Sequence, residues 1–107
     1  PGAMIVDAFP GLLGGDTGAA FANTFQQRTG RSPSGAAAQA HDAAVIVTQA
    51  RKEAGTVGDV RAAFRTALAR AKLDDGACGP AAMGTDGELA REPAVLEVQG
   101  DQLILAP

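Results

Sequence analysis

Residues 32–55 read SPSGAAAQAHDAAVIVTQARKEAG, and this stretch decides the fold. Ser32 followed by Pro33 is a helix start, a hydroxyl cap with proline at the first helical position. The helix is expected to run to about Ala54, where Gly55 stops it. Its centre, Ala43-Ala44-Val45-Ile46-Val47, is apolar on every side, and such a helix normally packs against more than one neighbour. The chain therefore contains a helical layer that needs other layers around it.

Downstream, Thr56 and Asp59 approximate a capping box with Asp in place of the usual Glu. Val60, Ala63, Phe64, Ala67, Leu68 and Ala71 then mark an amphipathic helix. After Leu73 the chain becomes glycine-rich from Asp74 to Gly87. Two strands follow, Ala94–Val98 and Gln102–Leu105, with a hairpin signal at Gln99-Gly100-Asp101-Gln102. Upstream, residues 3–9 read as a short buried strand ended by Pro10, and Gly11–Gly15 as a flexible connector. A first helix begins with Asp16 or Thr17 as cap, carries Phe21 and Phe25 on one face, and ends at Gly30. The expected fold class is α/β: a strand, three helices, then a C-terminal β-hairpin. No internal repeat is visible.

A chain of 107 residues is one small domain. It has four Phe and neither Tyr nor Trp, and much of its apolar content is alanine, so its core is thin if it stands alone. The net charge of −3 argues against nucleic acid, whose binders carry a clustered basic face. Arg61, Arg65, Arg70 and Lys72 gather on one helix and read as its solvated face. No apolar run is long enough to span a membrane, and no signal peptide is visible.

The residues that carry chemistry are few. His41 and Cys78 suggest a base and a thiol, but nothing in the sequence brings them together. Asp42 diverges from His41 by about 100° around the helix, so a His–Asp orienting pair is not expected. The Gly11–Thr17 loop opens a helix as phosphate loops do, yet lacks their Gly-Lys-Ser/Thr ending. Asp74, Asp75, Asp86 and Glu88 lack the alternation of a calcium loop, and one histidine with one cysteine does not make a zinc site. No cofactor, metal or catalytic residue is expected.

The order of these signals resembles the C-terminal portion of periplasmic solute-binding proteins of the branched-chain amino acid receptor type. Phe21, Phe25, Gly30 and Pro33 are similar to that family's "F…Y….G..P", Ala40-His41-Asp42-Ala43 to its "AYDA", and Gly79-Pro80 with Asp86-Gly87 to its "GP…D..G". His41 stands where tyrosine is usual, and Ala81 where an aromatic often follows Gly79-Pro80.

The resemblance implies a partial piece of a two-lobe, type I periplasmic binding fold, with two of the family's three lobe crossings. Residues 2–9 would close one lobe, 10–73 would form the helical part of the other, and 74–107 would cross back and supply terminal strands. Hinge residues would be Pro10, Gly11, Gly14, Gly15, Gly76 and Gly79. Ala36 and Ala37 would form a small apolar wall of the ligand cleft, with Gln39 as a polar contributor. The implied function is non-catalytic: an amino acid or similar small solute is bound by lobe closure and delivered to membrane transporter subunits, in the periplasm or outside the cell. A second copy or a partner fragment would complete the fold. The alternative reading is an autonomous interaction or oligomerisation domain without a small ligand.

Overall fold

Short polar caps and glycine stops set the helix limits in the computed structural model, which describes residues 2–106. Helix α1 (Asp16–Thr29) ends at Gly30, whose φ of 74° lets its N–H turn back to the Gln26 carbonyl. Helix α2 (Gly35–Ala54) is capped by Ser34, which accepts from the Ala37 N–H at 3.1 Å. The cap lies two residues beyond the expected Ser32, because the Ser32 hydroxyl turns to the Gln26 side chain of α1 instead. Helix α3 (Val60–Ala69) is capped by Asp59, which accepts from the Ala62 N–H. Thr56 is therefore not the cap that its spacing suggests. Each cap contributes about 1 kcal/mol. Helix α1 starts from Gly15 without a side-chain cap, so neither Asp16 nor Thr17 fills that role.

The strands form two sheets. The first joins β1 (Met4–Asp7), β5 (Ala94–Gln99) and β6 (Gln102–Leu105) in the order β1-β5-β6, all antiparallel. The expected terminal hairpin is β5–β6, turned at Gly100 with φ of 62°. The second sheet, β2 (Lys72–Gly76), β3 (Gly79–Met83) and β4 (Leu89–Ala90), is not anticipated by the sequence pattern. It occupies the glycine-rich stretch and packs with α1 and α2. The connector at Gly11–Leu13 is a 3-10 turn closed by Leu13 and Gly14 N–H groups onto Pro10 and Gly11 carbonyls.

The main core cluster is small and sits in the helical part, where Phe9, Ala22, Ala38, Ala77 and Cys78 gather with Phe21 against them; in the first sheet Leu96 of β5 is buried as well, at 4% exposure. Phe9 and Phe21 meet edge to face at 5.7 Å, a geometry that adds about 1 kcal/mol beyond burial. Helices α2 and α3 are also tied by an Arg70–Glu53 ion pair.

Two expected burials do not occur. Strand β1 is exposed along its length, with Met4 and Val6 at 58% and 66% exposure. Helix α2 buries one stripe only, Ala38, Asp42, Ile46 and Ala50, while Ala43, Ala44 and Val47 face outward. Cross-strand register puts Ile5, Leu96 and Leu105 on one face of the first sheet and Val6 with Val95 on the other. A sheet apolar on both faces is the kind that is covered on both. Among the described residues no strand of it packs broadly on a helix or on the second sheet. The radius of gyration is accordingly 16.3 Å, where a compact domain of this length has about 13 Å. The first sheet and the helical layer are joined by chain segments.

Candidate functional site

The joining segments define the site. The chain leaves the first sheet after Asp7, and Phe9 is already buried in the helical core, so Ala8 alone lies between. It returns through Arg91–Pro93 to β5, later than the glycine-rich stretch that the sequence offers for the return. Helix α2 begins beside the outgoing segment: a Cβ built on Gly35 would stand 3.2 Å from Asp7 Oδ1. That carboxylate also accepts the Phe9 N–H at 3.2 Å. Ala36 and Gln39 are exposed and Ala37 is half-buried, on the opening turns of α2 close to this junction.

The six residues expected as hinges fall near one another. Pro10, Gly14, Gly15, Gly76 and Gly79 line one cavity of about 270 Å³, with Glu92 and Pro93 on its wall. Gly11 and Gly79 need their positive φ values of 65° and 86°. Gly76 and Gly79 flank the β2–β3 turn, and that turn is held on several sides. A Cβ on Gly18 of α1 would lie 3.0 Å from the Ala77 carbonyl. From α2, Asp42 reaches into the turn with both carboxylate oxygens.

Asp42 is the residue that pattern reading passes over. It is fully buried. Oδ1 accepts the Ala77 N–H at 2.7 Å, and Oδ2 accepts the Cys78 N–H at 3.0 Å. Arg91, its side chain 12% exposed, brings Nη1 to 3.4 Å from Oδ2. His41 Nδ1 lies 3.3 Å from Oδ1, so the two neighbours do pair, contrary to the expectation from helix geometry. Nδ1 is the ring nitrogen nearest the backbone, and the Asp42 carboxylate is fixed by the turn, which together bridge the divergence. The ring packs on Phe21 at 4.8 Å. The available signal for Asp42 was its position, a lone acid on an otherwise apolar stripe at four-residue spacing.

This arrangement braces the β2–β3 turn against α2. Burial pushes the Cys78 thiol above its ordinary range, and the Asp42 charge adds to that, so the thiolate needed for nucleophilic work is disfavoured. Because the folded-state value is the raised one, the stability gained by keeping this thiol neutral is present below the unfolded thiol's pKa and is lost as pH rises through the folded value. Iodoacetamide at pH 8 is expected to leave Cys78 largely unmodified in the folded chain and to modify it fully in urea. Rapid modification without denaturant would mean that the turn opens freely. Among the described residues no group of His, Cys, Asp and Glu could hold a metal ion, and no helix is long and apolar enough to cross a membrane.

A family model described as periplasmic binding protein matches residues 1–102. Two solved structures share the fold. One is an ABC transporter solute-binding protein from R. palustris in complex with benzoate, 22% identical with a TM-score of 0.78, the match covering 97% of this chain and 29% of that one. The other is a leucine-binding protein from Thermotoga maritima, 17% identical with a TM-score of 0.71, covering 99% and 30%. The chain thus spans less than a third of the length of these proteins. No curated protein sequence matches it significantly.

Proposed function

Because the chain belongs to the periplasmic binding protein family, we propose that it forms part of a solute receptor that closes two lobes around a small organic molecule and presents it to an ABC transporter. The observation that carries this is the architecture. Two bodies are linked by two short segments, and the first turns of α2 stand at the junction where a closing cleft would form. In this reading the first sheet belongs to one lobe, and residues 10–90 belong to the other. The bends are at Ala8 and Glu92–Pro93, with the glycines at 11–15 and 76–79 packed against them. The remaining lobe elements would cover both apolar faces of the first sheet and the exposed Ala43, Ala44 and Val47 of α2.

Ala36 and Ala37 are the wall of the cleft in this proposal, and their methyl side chains leave room for the solute's apolar part. Gln39 would supply a polar contact. The solute class is an amino acid or an aromatic carboxylate, the kinds of ligand named for the two structural relatives. The protein would work in the periplasm or outside the cell.

The test is calorimetric titration of the receptor carrying this segment with a panel of L-amino acids and aromatic carboxylates. One panel member is expected to bind. Ala36→Trp is then expected to weaken it about tenfold or more, the equivalent of 1.4 kcal/mol, with the unfolding midpoint little changed. Unaltered affinity would remove Ala36 from the cleft, and a receptor that binds no panel member would defeat the amino acid or aromatic carboxylate assignment. The exposed apolar sheet favours one alternative, an autonomous association domain. That alternative requires a stable oligomer of the 107-residue chain in native mass spectrometry, with no small molecule retained.

A further inference from the structure

We propose that the buried Asp42–Arg91 pair is a positioning device that fixes the angle between the first sheet and the helical layer. Its consequence for solute affinity rests on the receptor reading above, but the device itself does not. Four observations converge on it. Asp42 is fully buried on α2 and locked to the β2–β3 turn by the Ala77 and Cys78 N–H groups, so its position is that of the helical layer. Arg91, itself mostly buried, reaches the same carboxylate. Only Glu92 and Pro93 separate Arg91 from the first residue of β5. That link is stiff, since proline fixes its own φ and restricts the residue before it.

The direction in which β5 departs is therefore set where Arg91 is held. The outgoing link is shorter still, one residue between Asp7 of β1 and the buried Phe9. Since β1 and β5 are paired over Met4–Asp7 and Ala94–Glu97, anchoring one link orients the whole sheet. Without Arg91's anchor, the return link lengthens by a residue. Its nearest remaining hold would be β4, a strand of only two residues. A buried carboxylate that already has two backbone donors does not need an arginine for hydrogen bonding alone. The arginine adds a tie between the helical layer and the link.

The experiment measures this angle without solute. Spin labels are attached in the folded chain at Gln102→Cys on β6 and Thr66→Cys on α3, both exposed, with the buried Cys78 left in place. The distance distribution is recorded by pulsed electron resonance beside a urea melt of each variant. The parent is expected to give a narrow distribution. Arg91→Met should broaden it about two-fold, as an unanchored hinge does, while the chain stays folded. Arg91→Lys should recover part of the narrowing, and Arg61→Met on α3 should change nothing. Pro93→Gly loosens the same link without touching the Asp42 contacts and should broaden the distribution too, which keeps the test available if Arg91→Met does not fold.

A parent-like width in folded Arg91→Met or in Pro93→Gly overturns the proposal, as does a parent distribution that is already as broad as theirs. Because no solute is present, a failure here is distinct from a failure to find a ligand.

Discussion

Asp42→Ala is expected to bring the chain to the edge of unfolding at 25 °C. The substitution removes the side chain that accepts from the Ala77 and Cys78 N–H groups, which lie 2.7 Å and 3.0 Å from its oxygens. It also strands the Arg91 guanidinium, whose side chain is 12% exposed. Removing one partner from a buried charge pair costs about 3–5 kcal/mol, because the other partner stays buried and uncompensated. A small domain has about 5–15 kcal/mol of stability in total, and the alanine-rich core described above puts this chain at the low end. Asp42→Asn keeps one oxygen but turns an amide N–H₂ toward a backbone donor, so a smaller loss of about 1–3 kcal/mol is expected. Urea unfolding followed by far-ultraviolet circular dichroism ranks the two. An Asp42→Ala chain with the parent midpoint would show that the turn is held by packing alone.

The contrast between what periodicity reveals here and what it conceals has a physical basis. Helices α1, α2 and α3 are legible because their signals are local: apolar spacing, hydroxyl or carboxylate caps, and glycine stops at Gly30 and Gly55. The β5–β6 hairpin is legible for the same reason. The second sheet is not. Its strands are built from Lys72, Asp74, Asp75, Gly76, Gly79, Pro80 and small alanines, residues with poor strand preference. They become strands because α1 and α2 hold the turn between them, and that is a tertiary cause. The exposed faces of β1 and α2 escape the sequence for a related reason. Apolar composition states that a face should be covered but not whether the covering element lies within the residues in hand. The family was legible only through the order of several weak signals, since no one of them is specific. Within the candidate site, Ala36, Ala37 and the glycines came from that resemblance, whereas Asp42 and Arg91 emerge only when residues 49 positions apart are seen to touch.

Gly76→Ala is expected to be the second most damaging change, and for a reason unlike the one its sequence context suggests. A glycine in a run such as Asp75-Gly76-Ala77-Cys78-Gly79 reads as a point of freedom. In the structure Gly76 is buried, and its backbone is not in the left-handed region that only glycine tolerates easily. What excludes a side chain is the brace itself. A Cβ at Gly76 would stand 2.7 Å from Asp42 Oδ2, 2.9 Å from Cγ and 3.0 Å from Oδ1. The carboxylate cannot yield without giving up the Ala77 and Cys78 N–H groups, so the cost is that of overpacking, about 1–3 kcal/mol.

Gly79→Ala is the control, because among the described residues no atom beyond its chain neighbours lies within 4 Å of a Cβ there and the penalty comes from its φ of 86°. The two mechanisms separate in the reactivity of Cys78. Displacing the carboxylate at Gly76 loosens the turn around the thiol, and iodoacetamide modification should accelerate about 30-fold for about 2 kcal/mol of lost local stability. Gly79→Ala strains the backbone on the far side of the turn and leaves Asp42 in place, so Cys78 should stay protected to within a few-fold. If instead both variants expose Cys78 equally, the glycines act through backbone freedom, and Gly76 belongs with the bending residues and not with the fixed support on which they turn.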